Sequence, residues 1–158
     1  MSDNVKIKLI RADITDAERI WNMQIRYFQE QYKRSQDHDT NPANEPVSKV
    51  QDRLKQPETY SYIISVDETD AGAIRVVNGK DGSPKLISPL FILPEFRGNG
   101  IGSSAVRLAE AIHGESRWEL AAVMQEQRNL RFYESLGYRR TGKTQKLNDR
   151  ITLIYFEK

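Results

Sequence analysis

The chain opens on a strict alternation. Val5, Ile7 and Leu9 are separated by lysines, the period of a half-buried strand. Thr15 and Glu18 then stand in the S/T-x-x-E spacing of a capping box, which marks a helix start. Ala17, Trp21, Ile25, Phe28 and Tyr32 follow at three- and four-residue steps. They form one helical face, and that face, with Trp21, Tyr27 and Tyr32, reads as core. Residues 35–46 are rich in Asp, Asn and Pro and predict a loop. Val47, Val50 and Leu54 predict a short second helix that stops before Pro57. Tyr60–Val66 and Ala71–Val77 predict a hairpin about a short acidic turn. Leu86–Leu93 predicts a fourth strand, and its Pro89, which lacks an N–H, demands an edge or a bulge. Ile101, Ala105, Leu108 and Ile112 put an apolar stripe on the next helix. Trp118–Val123 predicts a fifth strand, and Asn129–Leu136 a short helix with Gly137 as its C-terminal cap. Two strands close the chain, from Tyr138 onward and over Ile151–Phe156. With no repeat and no linker, residues 1–158 read as a single mixed α/β domain.

Composition narrows the function. The 158 residues are 38% hydrophobic and 29% charged, with a net charge of only +2. That balance gives no electrostatic case for nucleic acid or an anionic membrane. There is no cysteine, which excludes disulfides, thiolate metal ligation and a cysteine nucleophile. The start of the chain lacks a signal-peptide pattern, and no apolar run approaches the roughly 20 residues of a membrane span. The expectation is a cytoplasmic protein.

The informative segment is Phe91-Ile92-Leu93-Pro94-Glu95-Phe96-Arg97-Gly98-Asn99-Gly100-Ile101-Gly102. A strand runs into a glycine turn, and the turn runs into a helix. The first N–H groups of a helix have no internal partner, and the macrodipole adds partial positive charge there. Glycines let backbone approach a bulky anion, so this is a phosphate site by construction. Arg97 adds a charge-assisted contact. The dinucleotide fingerprint G-x-G-x-x-G fails, because Ser103 stands where the third glycine belongs. Gly137–Thr144 matches the P-loop pattern G-x-x-x-x-G-K-[ST]. A P-loop follows a strand and opens a helix, whereas here a helix precedes Gly137 and strands follow it.

Arg97, Gly100 and Gly102 form R-x-x-G-x-G, which resembles the acetyl-CoA pyrophosphate loop of the GNAT superfamily of N-acetyltransferases. Phe132-Tyr133-Glu134-Ser135-Leu136-Gly137-Tyr138 resembles that family's FYEKLGF segment. The likeness is strong from Leu86 to Tyr138 and architectural upstream. It implies a mixed, mostly antiparallel sheet of six to seven strands with about four helices, the fourth and fifth strands splayed. It implies acetyl-CoA as donor, with no metal, and an amine of a small molecule or peptide as acceptor. By the same resemblance Phe91, Ile92 and Leu93 give backbone contacts to the pantetheine. Arg97, Gly98, Asn99, Gly100, Ile101 and Gly102 hold the pyrophosphate, and Asn129 adds a hydrogen bond. Tyr133 takes the position of the acid that protonates the leaving thiolate; read from the residues alone, it is a core aromatic.

The base is harder to place. The fourth strand has no carboxylate or histidine, which leaves Glu119 on the fifth strand or a chain of waters. The run Asp37-His38-Asp39-Thr40-Asn41-Pro42-Ala43-Asn44-Glu45 resembles that of an uncharacterised bacterial subgroup of the family. Its acids suit a cationic amine, and equally an ordinary solvated loop. His38 between two aspartates is a poor metal site. The missing base gives weight to an alternative, a non-catalytic acyl-CoA-binding or regulatory module. A homodimer is compatible with the sequence, which carries no sign of its own for or against one.

Overall fold

The computed structural model describes residues 6–35 and 45–158. The acidic loop from Asp37 to Asn44, with His38, and the side chain of Tyr32 lie outside the described residues.

Seven strands form one sheet: β1 (Ile7–Arg11), β2 (Thr59–Val66), β3 (Thr69–Val77), β4 (Lys85–Ile92), β5 (Trp118–Val123), β6 (Arg139–Lys146) and β7 (Thr152–Glu157). Their order across the sheet is β1-β2-β3-β4-β5-β7-β6. Only β4 and β5 run parallel; the other neighbours are antiparallel. Four helices cover the sheet: α1 (Ala17–Ser35), α2 (Val47–Lys55), α3 (Ile101–His113) and α4 (Gln127–Ser135). The mixed α/β architecture and the splay expected from the sequence are both present. None of the helices is long and apolar enough to cross a membrane, among the described residues.

Alternation along the strands divides the core in two. Tyr62, Ile64 and Val66 of β2 pack with Ala105, Val106 and Ala109 of α3 and Leu130 of α4. Ile63, Ala73 and Phe91 point the other way, against Ile20, Met23, Phe28 and Val50 of α1 and α2. Trp118, Leu120 and Ala122 of β5 and Ile154 and Phe156 of β7 all join the α3 side. The core beneath α1 and α2 therefore ends at β4. Under the end of α3, Glu110 is buried and accepts from Tyr138 Oη (2.9 Å) and from Lys158 Nζ (3.1 Å), which ties the last residue into the core.

Local differences from the sequence reading have simple causes. The cap before α1 is Asp13, not Thr15: its side chain accepts from Thr15 N–H, and Asp16 returns a bond to Asp13 N–H. The box closes two residues earlier, around a single 3-10 turn at Ile14–Asp16. The P-loop look-alike is edge strand β6, exposed along its whole length. Gly137 caps α4 at φ 95°, with its N–H on Glu134 C=O (3.1 Å).

One glycine sets the fit of β3 on β4. A Cβ placed on Gly72 would lie 2.1 Å from the Phe91 carbonyl oxygen, which is backbone and cannot yield. Gly72→Ala is expected to cost about 2–3 kcal/mol by forcing the two strands apart. A urea titration reads this as a lower midpoint with unchanged slope.

Candidate active site

The site begins where β4 and β5 part. They are paired only at Lys85 with Trp118 and Leu86 with Glu119. Just beyond, Ser88 and Pro89 together face the single residue Arg75 of β3, a bulge that bends β4 away. This is the irregularity that Pro89 demanded.

Which backbone groups the gap exposes follows from the β3–β4 ladder. Leu93 N–H donates to Ala71 C=O (2.7 Å). Antiparallel neighbours exchange such bonds at alternate residues only. The register pairs Ala73 with Phe91 and Gly72 with Ile92. Phe91, like Leu93, thus turns its N–H and C=O toward β3. Leu90 and Ile92 turn theirs toward the gap. The expected backbone contacts of Phe91 and Leu93 are corrected accordingly: Leu93 is buried, its N–H is taken, and its C=O accepts from Phe96 N–H. Ile92 remains, and Leu90, which the sequence reading passed over, joins it.

Past β4, one 3-10 turn at Pro94–Phe96 leads into the glycine loop. Gly98 and Gly100 take φ of 82° and 71°, the left-handed region, and a Cβ on either would meet nothing within 4 Å. They serve backbone conformation. Gly102 serves packing: a Cβ there would meet the Phe132 ring at 3.2 Å. Gly100 is the N-cap of α3, and its C=O accepts Ser104 N–H. The N–H groups of Ile101, Gly102 and Ser103 precede any intrahelical partner. The loop is tethered to α1 twice. Glu95 accepts from Arg26 (2.7 Å), which holds its carboxyl below the usual range. The Arg97 guanidinium lies 5.2 Å over the Tyr27 ring.

These elements enclose a cavity of about 1190 Å³. On the α3 and α4 side it is lined by Gly98, Gly100, Ile101, Gly102, Ser103, Asn129, Phe132 and Tyr133. Tyr27, Phe91 and Phe96 line it toward α1. The cavity therefore passes between the faces of the sheet through the gap. The turn between β6 and β7 adds Asp149 and Arg150, and α4 adds Arg128. Asn148 Oδ1 fixes that turn by accepting from the N–H groups of Arg150 (2.8 Å) and Ile151 (3.0 Å). Tyr133 is half-buried among the rings of Phe132, Tyr138 and Phe156. Burial, and after it the Tyr27 phenol, pushes the Tyr133 hydroxyl well above its ordinary pKa.

Of the residues picked from sequence, Ile92, Arg97, Gly98, Gly100, Ile101, Gly102, Asn129 and Tyr133 come together here, with Phe91 as a side-chain wall. Asn99 lies outside the lining; its amide reaches back toward Arg97 C=O. Glu119 is not brought to the cavity. It is exposed, at the closed end of the β4–β5 pair, beside Leu86 and Glu157. The sequence reading missed Tyr27, whose helical spacing read as core. It also missed Arg128 and Arg150, which carry no local pattern at all.

Residues 57–140 match the family model for the acetyltransferase (GNAT) domain. The chain belongs to this family. Solved members share its fold at low identity. PaiA N-acetyltransferase from Thermoplasma acidophilum, solved with coenzyme A, is 14% identical, with 97% of this chain and 99% of that chain covered and a TM-score of 0.77. An acetyltransferase from Thermus thermophilus is 16% identical over 97% and 96%, with a TM-score of 0.69. A point mutant of the spermidine N-acetyltransferase SpeG from Vibrio cholerae is 11% identical over 95% and 91%, with a TM-score of 0.71. No curated protein sequence matches the chain.

In a GNAT acetyltransferase, the placement of Glu119 has a direct consequence. Glu119→Gln is expected to leave the rate of acetyl transfer within about twofold of wild type, since a general base must reach the reacting nitrogen directly or through one water. Initial-rate measurements on the two proteins check this; a loss of a hundredfold would return Glu119 to the chemistry.

Proposed function

We propose that the protein is an acetyl-CoA-dependent N-acetyltransferase whose acceptor is a primary amine of a small molecule or peptide. One observation carries the reading: a single cavity joins an anion cradle on one face of the sheet to an open approach on the other, through the gap between β4 and β5.

The residues present fit the donor. The unpartnered N–H groups at the start of α3 and the open space around Gly98 and Gly100 suit a pyrophosphate, with Arg97 as counter-charge. The backbone groups of Leu90 and Ile92 suit an extended arm laid along β4 like an added strand. Asn129, one turn before Tyr133 on α4, lies on the same wall. Acetyl-CoA supplies an activated acetyl group: a nitrogen–carbon bond forms, the carbon–sulfur bond breaks, and one proton passes from nitrogen to sulfur.

Tyr133 is assigned the proton delivered to sulfur. Its raised pKa means that the phenol keeps its proton below that value and loses it only above. Over the whole working range it stays neutral and holds a proton for the sulfur as the carbon–sulfur bond breaks.

The test is thiol release from acetyl-CoA across an amine panel. Amine-dependent release supports the reading; tight binding of acetyl-CoA with no amine-dependent release would make the protein a binding module instead. Tyr133→Phe is expected to lower kcat about 10²-fold and to change acetyl-CoA affinity less than threefold. Equal losses in both would reduce Tyr133 to packing. In wild type, kcat is expected to rise with pH as the amine deprotonates and to show no fall before about pH 10, since an ordinary phenol titrates there and Tyr133 titrates higher.

A further inference from the structure

Among the described residues, the lining toward α1 includes one polar side chain without an assigned role, Tyr27. Tyr27, Phe91 and Phe96 line the cavity there, and among these three only Tyr27 carries a side-chain hydrogen-bonding atom. Its ring is held on several sides: by Phe28 edge-on at 4.7 Å, by Phe91 at 5.6 Å, and by the Arg97 guanidinium at 5.2 Å. A ring held in this way presents its hydroxyl in a fixed place at low entropic cost. The phenol of Tyr27 is also close enough to that of Tyr133 to oppose its ionisation. The two tyrosines come from helices on opposite faces of the sheet and line the same cavity.

We propose that Tyr27 is the acceptor-orienting residue of the transfer site: an amine entering from the α1 face donates an N–H to the Tyr27 oxygen, which turns the nitrogen lone pair toward the carbonyl carbon in the gap. This rests on the acetyltransferase reading and assigns its acceptor side. Tyr27 forms and breaks no covalent bond. The nitrogen–carbon bond forms while the amine is held there, the carbon–sulfur bond breaks, sulfur takes a proton from Tyr133, and the proton lost by nitrogen passes through water to restore Tyr133. Arg97 spans both halves of the site, since it belongs to the cofactor loop and lies on the ring that receives the acceptor.

The test uses Tyr27→Phe, which keeps the ring and its three neighbours and deletes only the oxygen. Spermidine, benzylamine and a peptide with a free N-terminus serve as probes. Binding of acetyl-CoA by calorimetry and thiol release without amine are measured beside amine-dependent transfer. The expected result is a fall in kcat/KM for the best amine of about 10- to 100-fold. Acetyl-CoA affinity and amine-independent thiol release are expected to stay within twofold of wild type. An unchanged kcat/KM would leave Tyr27 a wall and overturn the proposal. So would a matching loss of acetyl-CoA affinity, which would show Tyr27 acting through the Arg97 loop. If wild type transfers to none of the three amines while binding acetyl-CoA, the acetyltransferase reading falls first, and this assignment falls with it.

Discussion

Two residue pairs hold β4 to β5, and the site depends on where that pairing stops. A buried backbone N–H or C=O left without a partner costs about 1–3 kcal/mol, so sheets rarely leave an interior gap. Here the bulge at Ser88 and Pro89 bends β4 away, and the alternation fixed by Leu93 and Ala71 decides that Leu90 and Ile92 face the opening. Their groups are available to a ligand because the sheet does not use them. Gly72 keeps the other edge of β4 tight against β3, so the opening appears on one side only.

From that opening the chain goes directly to the glycine loop, and the loop separates two demands that its sequence merges. Gly98 and Gly100 are needed for left-handed backbone, whereas Gly102 is needed because Phe132 leaves no room. Conformation at the first two lets α3 begin at the cavity. Contact at the third sets α4, and so Tyr133, against the same wall. One motif therefore places both the proposed anion cradle and Tyr133. The Glu95–Arg26 and Arg97–Tyr27 contacts extend this control to α1.

The sequence made some of this legible and hid the rest for physical reasons. Strand and helix positions followed from period 2 and period 3.6, and the glycine loop and the Tyr133 segment were readable because each is local. The P-loop pattern at Gly137–Thr144 was correctly set aside because its neighbours have the wrong secondary structure. Leu90 could have been found: once β4 was known to pair with β3, only alternate residues could face the gap. The offset is a phase question that composition does not carry. Tyr27 was hidden because an aromatic on an apolar helix face looks the same whether its far end meets core or cavity. The distance of Glu119 from the cavity was hidden for the opposite reason. Strand membership is readable from sequence, but the end of the strand at which the partner leaves is not.

The placement of the two tyrosines bears on the question of the base. Among the described residues the cavity lining has two carboxylates, Glu126 just before α4 and Asp149 in the β6–β7 turn, and no imidazole. A phenol there can accept a hydrogen bond and yet is a poor proton sink near neutral pH. Under the proposed assignment, orientation and deprotonation are separate tasks: Tyr27 would fix the direction of attack, and the ammonium proton would leave to water. Such a site would reward amines that are partly neutral at working pH. In the proposed roles the acid is needed only at the sulfur, where burial keeps the Tyr133 phenol protonated and also makes it a weaker acid.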